Sequence, residues 1–436
     1  MPRQVSYLSF MKTVKFFTLG CKVNQYDTQG IREQLLRCGL KEVTAKAPAD
    51  IYLINTCTVT HRSDAESLYL ARKAKRENPR AKIIIAGCLV KLDADKIKKA
   101  IPGCLIIKDK ENILKELSSL GLSFTCDLPL VPCAPSIITS FQGRTRAFLK
   151  IQDGCDNFCA YCKVPLVRGR SRSRKIGEIF REAEDLAKNG FQEIVLCGIC
   201  LGSFGKDLDP AAHLVDLLKE LEKIRGILRI RLSSIEAGDV DNRLIKYIAA
   251  SKKLCRHLHI PIQSGDDRIL KKMNRRYTSR EYLKLIAKVK KMIPGIAITT
   301  DVLVGFPGEE EENFSNTLSL LKKIQPEKTH IFPYSCRPGT AAAGFSDRQL
   351  PVTQLKKRIA ILRSLADDCS LVFKKKFLGK TVKVLFEVKA KTKKGCWQGF
   401  TGNYLKVLLK SEKNLKNQCL AVRLSKINAD YLIASS

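Results

Sequence analysis

No stretch of this chain approaches the roughly 18 consecutive apolar residues of a membrane-spanning helix, and residues 1–10 lack the long apolar core of a secretion signal. A cytoplasmic protein with no membrane partner is therefore expected. Met11 precedes the first convincing strand, so the first ten residues read as a ragged extension or a misassigned start. Acidic residues are scarce as well: 43 Asp and Glu stand against 78 Lys and Arg, a formal net charge of +35. That excess goes beyond what solubility needs and suits a polyanionic partner, nucleic acid first, the plain alternative being a generally lysine-rich background. Histidine is rare too, and of the five, His257, His259 and His330 read as structural. What the chain does have is 17 cysteines. In a reducing compartment so many thiols argue for metal or redox chemistry rather than a disulfide framework. At 436 residues, 44% hydrophobic and 28% charged, the chain is long enough for two or three globular domains.

The sequence is organised around Gly154-Cys155-Asp156-Asn157-Phe158-Cys159-Ala160-Tyr161-Cys162. Three thiols spaced Cys-x3-Cys-x2-Cys on one loop can take three corners of an iron-sulfur cube and leave the fourth iron open to a small chelating cosubstrate. A zinc site would ask for Cys-x2-Cys pairs and a fourth Cys or His close by. No fourth ligand stands near. Cys155, Cys159 and Cys162 are thus the candidate catalytic and metal-binding residues, with the aromatic Tyr161 beside them as a cosubstrate contact.

Ahead of that loop, strands at 14–19, 50–55 and 82–86 alternate with helices at 24–38 and up to about 77. Cys21, Cys57 and Cys88 each fall just past the carboxyl end of one of these strands, the rim where open parallel sheets gather ligands. Convergence of three separated thiols suggests a second iron-sulfur cluster. The bland alternative is three small buried residues, since free cysteine is commonly buried. Cys38, Cys104, Cys126 and Cys133 lack that position and read as structural. Pro129, Pro132 and Pro135 mark a linker over about 119–143.

Behind the loop, six short apolar strands (147–151, 193–197, 228–232, 258–260, 296–304, 329–334) alternate with amphipathic helices, the pattern of a parallel sheet closed into a partial barrel. Residues at the carboxyl ends of such strands build the active site. Gly198 would admit close backbone approach, and Ser234, Glu236 and Gln263 offer polar groups to a cosubstrate. Arg144, Arg146, Arg168, Arg170, Arg172, Arg174 and Lys175 flank the cysteine loop and suit phosphates or a carboxylate, or form a solvated basic face.

From Lys374 onward there are 15 Lys or Arg and 3 acidic residues. Short strands at 381–389, 405–409 and 420–424 are interleaved with Trp397, Phe400 and Tyr404. Basic surface with aromatics on a small all-β barrel suits looped RNA, whose bases can stack; rings filling a small core are the alternative. The fold class is therefore α/β, with an amino-terminal parallel α/β domain over 12–120, a central partial (βα)6 barrel over 141–370 and a small all-β barrel over 374–436.

Over essentially its whole length the chain resembles the methylthiotransferase family of radical S-adenosylmethionine enzymes. Within that family, Leu19-Gly20-Cys21-Lys22-Val23-Asn24-Gln25-Tyr26, Asn55-Thr56-Cys57-Thr58-Val59-Thr60 and His259-Ile260-Pro261-Ile262-Gln263-Ser264-Gly265 are similar to the branch acting on threonylcarbamoyladenosine at position 37 of tRNA. The resemblance implies two 4Fe-4S clusters, one on Cys155, Cys159 and Cys162 that cleaves S-adenosyl-L-methionine and an auxiliary one on Cys21, Cys57 and Cys88 that delivers sulfur. It also implies a carboxyl-terminal TRAM RNA-binding domain, a low-potential electron donor of flavodoxin or ferredoxin type, and a sulfur source. The radical would remove hydrogen from carbon 2 of the adenine, which has neither a leaving group nor an acidic hydrogen. Rival readings are isopentenyladenosine 37 of tRNA or a ribosomal-protein aspartate as substrate, and, from another class, a non-enzymatic iron-sulfur RNA-binding protein. The chain departs from the family at Cys200, with Cys197 close by; both are expected to be bystanders.

Overall fold

The computed structural model describes residues 13–44, 47–121, 138–141 and 143–435, the side chains of 346–348 aside. Met11, Cys126, Cys133 and the prolines at 129, 132 and 135 lie outside the described residues. The chain forms two compact units, Met1–Gln142 with Lys163–Gly169, and Gly143–Cys162 with Arg170–Ser436.

In the first unit, Ile51–Thr56 is buried at every position. A strand apolar on both faces belongs in the middle of a parallel sheet covered on both sides. It lies between Thr13–Thr18 and Lys82–Gly87, with the two-residue strands Lys41–Glu42 and Leu105–Ile106 at the edges, all parallel. Alternation then sorts the side chains. Ile51, Leu53 and Ile84 face Ile31 and Leu35 of the helix Lys22–Arg37. Tyr52, Ile54, Ile83 and Ile85 face Ala71 and Ala74 of the helix His61–Glu77. The three long strands and two helices fall where the apolar periodicity puts them; two-residue edge strands carry no periodic signal.

In the second unit six parallel strands follow one another in space as in sequence. Arg146–Lys150, Glu193–Cys197 and Arg229–Leu232 form one sheet and His257–His259, Ala297–Val304 and Lys328–Pro333 another. Parallel bridges Ile230 to Leu254 and Ser234 to His259 connect them. Helices Ile176–Lys188, Leu214–Lys223, Asn242–Ala250, Ser279–Met292 and Glu311–Ile324 lie between successive strands, and Val352–Lys375 follows the last. Among the described residues no ladder joins the first strand to the sixth, so the barrel is partial.

The tail closes five strands, Thr381–Lys389, Cys396–Thr401, Lys406–Lys410, Leu432–Ser435 and Cys419–Ile427 in spatial order, into a small barrel. Its core holds Val384, Phe386, Trp397, Val407 and Leu424. Of the two readings of the tail's aromatics, stacking surface or core, Trp397 takes the second and is a core residue at 6% exposure. Phe400 and Tyr404 turn to the foot of the partial barrel. The Arg231 guanidinium lies 4.1 Å from the centre of the Tyr404 ring, Arg146 lies over both rings, and His257 packs on Tyr404 at 4.7 Å. Arg229 donates to the Phe400 and Lys383 carbonyls and Arg231 to those of Gly402 and Thr401. Glu193, fully buried, pairs with Arg231 at 2.7 Å and with Arg229 at 3.6 Å. Burial would raise its carboxyl, but Arg231 and Arg146 outweigh that and hold it below the usual range. Buried charges survive only when paired and hydrogen-bonded, and these are. The aromatics therefore join the small barrel to the larger one and present no open platform.

Candidate active site

In the first unit the three candidate thiols stand where the sheet ends. Cys21 precedes the helix Lys22–Arg37, Cys57 follows Ile51–Thr56, and Cys88 opens the short helix Cys88–Leu92. Burial raises the Cys57 thiol, and Cys88 and Cys21 raise it further, so the three lie within electrostatic reach of one another. Polar side chains tie the three loops together. Asn24 donates to the carbonyls of Leu19 at 2.8 Å and Thr56 at 2.9 Å, Asn55 donates to the Asn24 carbonyl at 3.0 Å, and the Thr56 hydroxyl to that of Ala86 at 2.7 Å. Two glycines make room. A Cβ on Gly20 would stand 2.7 Å from the Cys57 sulfur, and one on Gly87 would stand 2.5 Å from both Asn55 Oδ1 and the Thr56 carbonyl. Both have φ near +90°, which side chains rarely adopt. The donor set, three thiols on a shared rim, suits a cluster with one iron left open.

In the second unit Cys155, Cys159 and Cys162 are all half-buried on the loop after Arg146–Lys150. Gly154 at φ 75° and Phe158 at φ 48° bend this loop back on itself, and the Cys162 amide donates to the Cys159 carbonyl at 2.9 Å. Gln152, fully buried, fastens it to the neighbouring strand end: its Nε2 donates to the Gly154 carbonyl at 2.7 Å, and its Oε1 accepts from the amides of Ile199 at 3.0 Å and Cys200 at 2.9 Å. That contact explains Gly198, where a Cβ would meet Gln152 Oε1 at 2.9 Å. Tyr161 packs edge-on against Phe306 at 6.4 Å, and burial pushes its hydroxyl well above the usual range.

Of the expected rim residues Glu236 is joined to this loop, by a cation that the sequence reading missed. Arg275 donates to Cys159 Sγ at 3.3 Å, pairs closely with Glu236, and donates to the Tyr277 hydroxyl, which in turn reaches the Pro261 carbonyl at 2.9 Å. Burial raises the Glu236 carboxyl and Arg275 opposes it. Gln263 holds φ 69°, rare for a residue with a side chain, between backbone bonds to Asp301 and Leu303. Ser234 is bridged to His259. A cavity of about 540 Å³ opens here, lined by Cys159, Glu236, Arg275, Tyr277, Asp156 and Lys206 among others. Cys197 is a buried strand residue, as expected, but Cys200 is no bystander: its thiol hydrogen-bonds Cys155 and holds that thiol below its usual range, and Asn157 reaches Cys200 Sγ at 3.6 Å.

The arginine cluster also differs from expectation. Arg146 is spent on Glu387 at 2.5 Å, Arg168 on Asn24 at 2.5 Å and Asp27 at 3.5 Å, and Arg174 on the buried Glu182 at 2.7 Å. Arg144, Arg170, Arg172 and Lys175 are the exposed members. Charge counted along a chain does not distinguish an internal pair from a surface one. The strands also bring together His259, Asp301 and His330, with ligand atoms all within 4.8 Å of one another, a grouping whose ends lie 71 positions apart in the sequence.

A parallel partial barrel with three thiols on its first strand-end loop defines a radical S-adenosylmethionine protein, and residues 149–321 match the Radical SAM superfamily model. Residues 13–109 match a model described as uncharacterized protein family UPF0004. The solved radical S-adenosylmethionine methyltransferase TsrM of Kitasatospora setae shares the fold, with a TM-score of 0.55 and 14% identity over 76% of this chain and 77% of that one. The chain belongs to the methylthiotransferase family. It is 36% identical, over 97% of its length and 95% of the relative's, to the threonylcarbamoyladenosine tRNA methylthiotransferase MtaB of Bacillus subtilis. It is 34% identical, over 98% and 92%, to the tRNA-2-methylthio-N(6)-dimethylallyladenosine synthase of Acetivibrio thermocellus.

Proposed function

We propose that the protein inserts a methylthio group at carbon 2 of N6-threonylcarbamoyladenosine 37 in tRNA by radical S-adenosylmethionine chemistry. The observation that carries this reading is the pair of three-thiol sets, each at the carboxyl rim of its own parallel sheet. A binding protein needs one such site at most. Three functional segments follow: 12–120 for the auxiliary site, 141–370 for the radical site, and 374–436 for RNA. Cys155, Cys159 and Cys162 would hold one 4Fe-4S cluster and Cys21, Cys57 and Cys88 the other, which together supply the electron that cleaves S-adenosyl-L-methionine and the sulfur that is transferred. The protein's own part is to position and shield. Arg275 keeps a positive charge against the Cys159 sulfur. Gln152 fixes the loop, Glu236 lines the cavity beside it, and Tyr161, Gly198, Ser234 and Gln263 are the further contacts proposed for the cosubstrate. Exposed lysines of the small barrel draw in tRNA. A low-potential electron donor and a sulfur source are required partners. Among the described residues no helix is long and apolar enough to cross a membrane.

Mass spectrometry of tRNA nucleosides from cells lacking the gene, with and without restoration, tests the reading. Loss and return of methylthio-threonylcarbamoyladenosine is expected. A response of the dimethylallyl nucleoside instead would move the substrate to the other tRNA branch, and a response of neither would move it off tRNA.

A further inference from the structure

Inside the partial barrel the strand residues alternate. Leu258, Ile298 and Val302 are buried, and Tyr282 of the helix Ser279–Met292 reaches across to the Ile260 carbonyl at 2.7 Å and the Thr300 hydroxyl at 3.3 Å. That side is the helix-covered one, so His257, His259, Thr299 and Asp301 face the lumen. Along Ala297–Val304 the lumen reads from foot to mouth. Ala297 packs in the core of the small barrel, Thr299 and Asp301 follow, and Leu303 packs with the cluster that contains Tyr161. The polar middle layer is joined across three strands. Thr299 Oγ1 stands 3.1 Å from His257 Nε2 and 2.8 Å from His259 Nδ1, His259 Nε2 stands 3.2 Å from Asp301 Oδ1, and the His330 ring lies edge-on to His259 at 5.6 Å. His259 and Asp301 keep 16% and 22% of their side-chain surface open. The layer is thus a hydrogen-bonded polar band in the lumen that keeps part of its surface open.

We infer that His259, Asp301 and His330 form the subsite for the polar arm of the modified adenine; the inference rests on the function proposed above. A threonylcarbamoyl arm brings a carboxylate, a hydroxyl and urea N–H groups, and an imidazole–carboxylate–imidazole layer offers both donors and acceptors to them. A dimethylallyl arm brings hydrocarbon only and would cover the partly open His259 and Asp301 without a hydrogen bond to either, the arrangement that discriminates most strongly between substrates. The arm leaves the base on the edge that bears carbon 2. The layer lies two strand residues, about 7 Å, below the level of Leu303 and its contact cluster with Tyr161. A metal ion is the less favoured occupant, because both ring nitrogens of His259 already have protein partners.

The test measures binding and turnover of anticodon stem-loops carrying threonylcarbamoyl- or dimethylallyladenosine by the full chain. For His330→Phe, affinity for the threonylcarbamoyl stem-loop is expected to fall roughly 10- to 100-fold, the range for a lost charged hydrogen bond. Affinity for the dimethylallyl stem-loop should change little, and His330→Gln should keep most of the preference. Equal losses on both stem-loops, or none on either, overturn the assignment while the proposed function stands if the wild type still modifies threonylcarbamoyladenosine. A wild type that modifies only the dimethylallyl substrate removes the proposed function and this subsite with it. Zinc or iron beyond the two clusters that disappears in His330→Phe would make the layer a metal site and overturn the inference.

Discussion

Arg275 is the residue on which the most interactions at the radical site depend. One side chain, 3% exposed, holds the Cys159 sulfur, Glu236 and Tyr277 at once. Arg275→Met would leave the Glu236 carboxyl half-buried without its cation, and breaking such a pair costs about 3 kcal/mol. The expected outcome is a thermal midpoint several degrees lower, partly restored in Arg275→Met/Glu236→Gln; additive losses in this double-mutant cycle would show that the pair is not the cause. By contrast Cys159→Ala should keep tRNA binding and lose 5'-deoxyadenosine production, and Cys57→Ala should keep some cleavage while the methylthio product disappears. The cysteines were legible in the sequence because a ligand loop is local and each auxiliary thiol follows a strand whose apolar run is unmistakable. Arg275 was not, since its partners lie 39 and 116 positions away and a guanidinium in the run Asn274-Arg275-Arg276-Tyr277 looks like any other surface charge. The positive φ of Asn274 and Gln263 is likewise a property of the fold alone.

Among the elements, the strands that carry apolar runs on both faces could be read in advance, and the junction between the two barrels could not. Arg146 had been expected to meet phosphates or a carboxylate, or to lie on a solvated face, yet it belongs to a buried network whose partners sit up to 258 residues away. A second part of the same junction titrates. Glu327 precedes the strand Lys328–Pro333, and burial pushes its carboxyl up from 4.5 to about 7 against the pull of Lys374. A carboxyl raised on folding favours the folded state at low pH, so its contribution is fully present below about 4.5 and is lost as pH rises through 7. The difference amounts to roughly 3 kcal/mol. Glu327→Gln should therefore flatten the decline in stability between pH 5 and pH 8 in denaturant titrations; an unchanged slope would place the titration elsewhere. Tyr404→Ala should likewise lower the stability of both barrels together, since the ring packs against Arg146, Arg231 and His257.

At the scale of the molecule the net charge of +35 is the feature that composition alone gave, and the fold decides where it acts. Charge at the barrel junction is paired internally with Glu193 and Glu387, whereas Lys391, Lys393 and Lys394 are exposed on the turn before Cys396–Thr401, and Lys413, Lys416, Arg423 and Lys426 are exposed on the same small barrel. Trp397 lies in the core and offers no stacking face, so the contact with RNA proposed for this barrel falls to its exposed cations and hence to phosphate neutralisation. That mode has a thermodynamic signature: each phosphate contact releases a counterion, and log K falls linearly with log salt by about 0.7 per contact on a single strand. Lys391→Gln/Lys393→Gln/Lys394→Gln should therefore reduce the salt slope of tRNA binding by about 2. Because these lysines lie on a turn and face solvent, the thermal midpoint and 5'-deoxyadenosine formation should stay as in the wild type. Filter binding or fluorescence anisotropy from 50 to 300 mM salt reads the slope directly. A triple variant with the wild-type slope would mean that tRNA is gripped by another surface, and the small barrel would then serve the molecule only as the foot of the larger one.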